Sequence, residues 1–134
     1  MAGTCPNEGE KWIADLLITQ NYEIGLFTNA SFDETTVLTG VTEPTGGGYA
    51  RIALNGASAT AITDPDGNGA KISWPQVTWT ATTTSMTGGI RGAFICNTAG
   101  TKRLIQIEAD ASLGGPLTLL VNDVYKVTPV LRIN

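Results

Sequence analysis

Apolar and polar positions divide the chain into one helical stretch followed by a succession of short strands. In Asn7-Glu8-Gly9-Glu10-Lys11-Trp12-Ile13-Ala14-Asp15-Leu16-Leu17, the apolar residues Trp12, Ile13, Leu16 and Leu17 recur at helical spacing. Asn7 is a candidate N-cap, and Glu8 and Glu10 put negative charge in the first turn, where the helix dipole favours it. Beyond this the period changes to two. Tyr22, Ile24 and Leu26 alternate with Glu23 and Gly25 in a strand predicted to end near Thr28. A second strand is predicted over residues 49–54, with Ala50, Ile52 and Leu54 on one face.

Residues 71–79 form a third strand that changes parity halfway. Ile72 and Trp74 share one face, Val77 and Trp79 the other, and Pro75 sits between them. Proline cannot donate to a ladder, so a bulge or a sheet crossing is predicted there. Residues 90–96 and 104–111 are predicted to pair through the loop Asn97-Thr98-Ala99-Gly100. In the second of these, Ile105, Ile107 and Ala109 are expected to face the core, with Gln106, Glu108 and Asp110 in water. Gly114-Gly115-Pro116 turns the chain, and strands over 117–121 and 125–133 complete it.

The expected fold is all-β: an antiparallel β-sandwich or barrel of about six to eight short strands, preceded by one short N-terminal helix. Residues 1–20 read as an N-terminal arm and helix, and 21–134 as a single β-sandwich domain. Residues 29–48 are polar and rich in turn formers, and read as a long surface loop of the kind that carries function or reaches a partner.

Composition agrees with this. Threonine is the commonest residue and glycine follows at 16, while charged residues make up only 15%. The net charge of -4, with eight scattered basic residues, argues against nucleic acid as a partner. No apolar run is long enough to cross a membrane, and the N-terminus lacks the basic start and apolar core of a signal peptide. Cys5 and Cys96 do not make a disulfide framework, so a reducing cytosol is expected. Without a signal peptide, the sequon Asn29-Ala30-Ser31 would not meet the glycosylation machinery.

The chain has no histidine, which removes the commonest general base and the commonest metal ligand. Gly46-Gly47-Gly48 is followed by Tyr-Ala-Arg rather than Lys-Ser/Thr, so it is no phosphate-binding loop. Glu108 and Asp110, two apart on one strand face, would lie roughly 7 Å apart and form the best carboxylate pair for glycoside hydrolysis. Their alternating context reads more simply as a solvated face. Trp12, Trp74 and Trp79 read as core or interface residues rather than a binding platform. Asp64, Asp66 and Asn68, followed by Gly69, match the opening of a calcium loop. The twelfth position is Pro75, where a bidentate Glu is needed. Asp-Pro-Asp-Gly and Asn-Gly are turn sequences in their own right, so the turn outweighs the calcium site and no cofactor is expected.

Several segments together carry a resemblance. These are the short N-terminal helix, Tyr22-Glu23-Ile24-Gly25-Leu26-Phe27-Thr28, and Thr42-Glu43-Pro44-Thr45-Gly46-Gly47-Gly48-Tyr49-Ala50-Arg51. Ile72-Ser73-Trp74-Pro75 and Gly89-Ile90-Arg91-Gly92-Ala93-Phe94-Ile95 follow. The pattern resembles a group of small structural proteins of tailed bacteriophages: head decoration or cement proteins and tail-fibre-like proteins. The resemblance is strongest over residues 43–51 and does not extend with any clarity over 104–134.

It implies a non-enzymatic capsid decoration protein, made in the host cytoplasm, that binds the major capsid protein on the virion surface. Such a protein is expected to be a homo-oligomer, with a trimer favoured. The contacts implied are Trp12, the loop residues Phe32, Asp33 and Glu34, and Gly46, Gly47, Gly48, Tyr49 and Arg51. A tail- or fibre-associated protein or a carbohydrate-binding module is the alternative, and a glycosidase working through Glu108 and Asp110 is a third.

Overall fold

A computed structural model describes residues 3–63 and 69–133. Its elements are α1 (Asn7–Leu17), β1 (Asn21–Phe27), β2 (Ile52–Asn55), β3 (Thr60–Thr63), β4 (Ala70–Ser73) and β5 (Val77–Thr80). They continue with β6 (Met86–Ile90), β7 (Gly92–Asn97), β8 (Leu104–Ala109), β9 (Leu117–Leu119), β10 (Val124–Val127) and β11 (Val130–Ile133). The fold is all-β and sandwich-like, every strand pair is antiparallel, and one helix precedes the strands.

Eleven strands among the described residues exceed the expected six to eight, for two reasons. Short strands form at residues 60–63 and 86–90, where threonine and glycine hide the alternation. The two longest predicted strands also each break at a proline. β4 pairs with β11 and β5 pairs with β10, so two chain segments build a single ribbon interrupted at Pro75 and Pro129. Across the break, the Trp74 N–H donates to the Pro129 carbonyl at 3.1 Å. The bend turns Trp74 and Trp79 into the core from opposite parities, as the parity switch predicts. Their indole N–H groups donate to the carbonyls of Asn55 and Ala50, at 3.1 and 2.9 Å.

β1 and β7 form the centre of a four-stranded sheet ordered β2-β1-β7-β8. Their register sets Ile24 opposite Ile95 on one face and Gly25 opposite Phe94 on the other. The first face carries the main core of Tyr22, Ile24, Leu26 and Ile95, packed with Ile72, Trp74, Trp79 and Met86. The second face carries a smaller core of Phe27, Phe94 and Cys96, covered by Leu38, Val41, Leu104 and Ile107. Leu38 and Val41 belong to the 29–48 segment, so that segment roofs a second core and is not a free arm. Asn29 pins it: its Nδ2 donates to the Gly40 carbonyl and its Oδ1 accepts from the Thr42 N–H, both at 2.8 Å.

Three local expectations need correction. Pro6, not Asn7, occupies the N-cap position, and no side chain caps the helix. The predicted strand over 49–54 begins only at Ile52, because Tyr49 packs on the main core and Arg51 turns over Phe94 of the second, both bonding to Glu43. In β8 the expected wet side is wet only in part: Glu108 is exposed, whereas Gln106 is turned to the neighbouring sheet. Gln106 stands opposite buried Ile95, and its Nε2 donates to the Val130 carbonyl at 2.7 Å. Ile105, expected inside, is exposed, and the register between β7 and β8 shifts at this point, from Ile95 opposite Gln106 to Cys96 opposite Leu104.

Candidate functional site

The segment most characteristic in sequence, residues 43–51, folds into a closed bracket that meets the main core through Gly47 and Tyr49 and the second core through Arg51. Its three glycines all have positive φ: 81° at Gly46, 62° at Gly47 and 72° at Gly48. At Gly47 the conformation and the space both require glycine, because a Cβ would stand 2.6 Å from Met86 Cγ and 3.0 Å from the Met86 N. The turn returns Tyr49 and Arg51 to Glu43. Arg51 donates from Nε to Glu43 Oε1 at 3.0 Å and from Nη2 to Oε2 at 2.9 Å, a two-pronged pair. The Tyr49 hydroxyl donates to Glu43 Oε1 at 2.7 Å and accepts from the Leu26 N–H at 2.9 Å.

The Arg51 guanidinium lies 5.2 Å from the centre of the Phe94 ring and 3.5 Å from Glu23, and Glu23 also meets Lys102 at 3.0 Å. Gly25 makes room for this assembly, since a Cβ there would be 2.6 Å from the Phe94 ring and 2.8 Å from the Tyr49 hydroxyl.

The ionisation states follow. Burial pushes the Glu43 carboxyl up, but the bonds from Arg51 and Tyr49 and the guanidinium charge outweigh it and hold it below the usual range. Tyr49 is raised, first by burial and then by its bond to the carboxylate. Burial raises the Cys96 thiol, against the pull of Arg51. Every charged group here has a partner of the opposite sign, which is the arrangement of a structural bracket. Of the contact residues implied for this segment, Tyr49 and Arg51 have their polar atoms bonded inside the fold, Gly47 is buried, and Gly46 and Gly48 are exposed.

The other implied contacts lie elsewhere. Phe32 packs edge-on against Phe27 with ring centres 5.3 Å apart. The Asp33 carboxylate accepts from the Thr35 hydroxyl and N–H, and Glu34 is exposed. Trp12 is far more exposed than a core residue, at 64%, with Leu16 at 49% and Ile13 at 36%. The helix is amphipathic as predicted, but its broad apolar stripe faces solvent. Ala14, fully buried, makes the inward contact, with Leu17 and Ile18 half-buried beside it. The small alanine brings the helix backbone close to the ribbon, where Glu10 reaches the start of β4 beside Gly69. Spacing showed the stripe but could not show which way it pointed.

Glu108 and Asp110 line a groove of about 420 Å³ between β8 and β10, with Tyr125, Lys126 and Thr128 on the opposite wall. Asp110 is occupied: it accepts from the Ser112 hydroxyl and N–H and from the Tyr125 hydroxyl, the last at 2.5 Å. The Ser112 and Tyr125 bonds hold its carboxyl below the usual range, the reverse of the elevation a general acid needs. The calcium candidate Asp64, Asp66 and Asn68 lies outside the described residues. Among the described residues, no group of three or more Cys, Asp or Glu is arranged to hold a metal ion. Among the same residues, no helix is long and apolar enough to cross a membrane. No protein family, curated protein or solved structure matches this chain.

Proposed function

We propose that this chain is a non-enzymatic structural protein of a bacteriophage virion, a capsid decoration protein that binds the major capsid protein and stabilises the head. One observation carries the binding part of this reading: a helix anchored through Ala14 presents Trp12, Ile13 and Leu16 to solvent. A tryptophan exposed to that extent beside two exposed aliphatics is costly in water and typical of a contact residue. The virion part rests on the resemblance carried by residues 22–28 and 43–51.

Add-back to heads lacking the protein tests the reading. Heads prepared without the chain should release DNA at a lower temperature, and the added chain should restore the native value. Heads whose release temperature does not respond, and which retain none of the added chain after sedimentation, would contradict it.

A further inference from the structure

The outward face of α1 also carries information about what covers it. On a wheel of about 100° per residue, Leu16 lies about 40° from Trp12 and Ile13 about 100°. Glu8 and Asp15 lie on the other side of Trp12, about 40° and 60° away, so one flank of the apolar stripe is acidic. Both carboxylates are exposed. Glu8 has no ion-pair partner among the described residues, whereas Asp15 meets Lys11 at 2.5 Å one step further round. The chain as a whole is at -4.

Area speaks to the occupant. Trp12, Ile13 and Leu16 together expose roughly 300 Å², taking about 250 Å² for a whole tryptophan and somewhat less for each aliphatic. Two copies paired across this stripe would bury roughly 600 Å², about half the smallest area of a stable specific interface. Paired antiparallel, they would also bring two acidic flanks to the same rim. A groove covers more, because it wraps the stripe and its flanks together, and helices that dock in grooves use anchors three and four residues apart, as Ile13 and Leu16 and Trp12 and Leu16 are.

We propose that α1 docks in an apolar groove on a different protein, and that lysine or arginine on one rim of that groove faces Glu8 and Asp15. This rests on the decoration reading and names the chemistry of the capsid surface that reading requires. A basic rim speeds and orients docking through charge, while Trp12 supplies most of the binding energy from the groove floor.

The test uses the full chain and heads prepared without it. Binding of the native chain should weaken at least fivefold between 50 and 500 mM salt. Glu8→Lys combined with Asp15→Lys should weaken it at least tenfold at 50 mM salt and flatten the salt response. Trp12→Ala should weaken it at least tenfold at both salts, with helix content unchanged by circular dichroism. Full-strength binding by the charge-reversed chain would overturn the basic rim while leaving the decoration reading in place. A dimer in sedimentation equilibrium that Trp12→Ala dissolves, or partition onto phosphatidylcholine vesicles that Trp12→Ala abolishes, would overturn the protein groove. Native chain that binds no heads at all would remove the decoration reading and this inference with it.

Discussion

Replacing Glu43 by alanine should remove the centre of the bracket formed by residues 43–51. The substitution deletes three hydrogen bonds, from Tyr49 and from two nitrogens of Arg51, at 2.7, 3.0 and 2.9 Å. Hydrogen bonds to charged groups contribute about 1.5–3 kcal/mol each when measured singly, and breaking a fully buried ion pair costs about 3–5 kcal/mol. Two features reduce the figure here. The Glu43 and Arg51 side chains are each 25% exposed, and Arg51 keeps Glu23 at 3.5 Å. The expected loss is therefore about 2–3 kcal/mol, or about 10 °C in melting temperature for a chain of this length.

Urea unfolding followed by tryptophan fluorescence reads it, since Trp79 is tied to Ala50 beside the bracket. The pH dependence gives an independent check. The folded Glu43 carboxyl titrates below its unfolded value, so its contribution is full above the unfolded pKa and is lost as pH falls through the folded one. The gap between native and variant stability should hold at pH 6–8 and close in the acid range. A loss below about 0.5 kcal/mol at pH 7, or a gap that persists below the folded pKa, would refute the assignment of residues 43–51 as a structural bracket.

Other consequences are equally measurable. Gly47→Ala should destabilise by several kcal/mol, because it adds backbone strain to a 2.6 Å clash with Met86, whereas Gly100→Ala, with φ of 63° and open space, should cost about 1 kcal/mol. Equal melting temperatures for the two variants would contradict the packing described. Native protein should expose one fast-reacting thiol, Cys5, and urea-unfolded protein two, because Cys96 is buried beneath Arg51 with its thiol raised by burial; two fast thiols in the native state would place Cys96 wrongly. Acrylamide should quench a distinct part of the tryptophan emission that Trp12→Phe removes, while Trp74 and Trp79 stay protected; uniform quenching would mean that α1 does not present its stripe to water.

What the sequence made legible follows from where local rules decide. The helix, the first strand, the hairpin around residues 97–100 and the crossing at Pro75 rest on spacing or on proline chemistry, and each is present. The direction of the helix stripe was not legible, because the same spacing serves a core and an interface; only Ala14, small enough for close approach, reveals the inner face. The second core escaped notice because Leu38 and Val41 lie in a largely polar segment without strand alternation, and their partners Phe94 and Cys96 lie more than fifty positions away. For the same reason Gly47 read as part of a surface loop, although it is buried against Met86 and its neighbours Tyr49 and Arg51 close on Glu43. Long-range register decides such matters, and it also placed Gln106 against Val130 when alternation pointed it at water.

The central claim is that this chain coats a bacteriophage head by binding alone. Quantitative mass spectrometry of purified virions, with copy number taken relative to the major capsid protein, tests it most directly. The account predicts one copy for every one or two capsid subunits. A handful of copies per particle, or none, would contradict it.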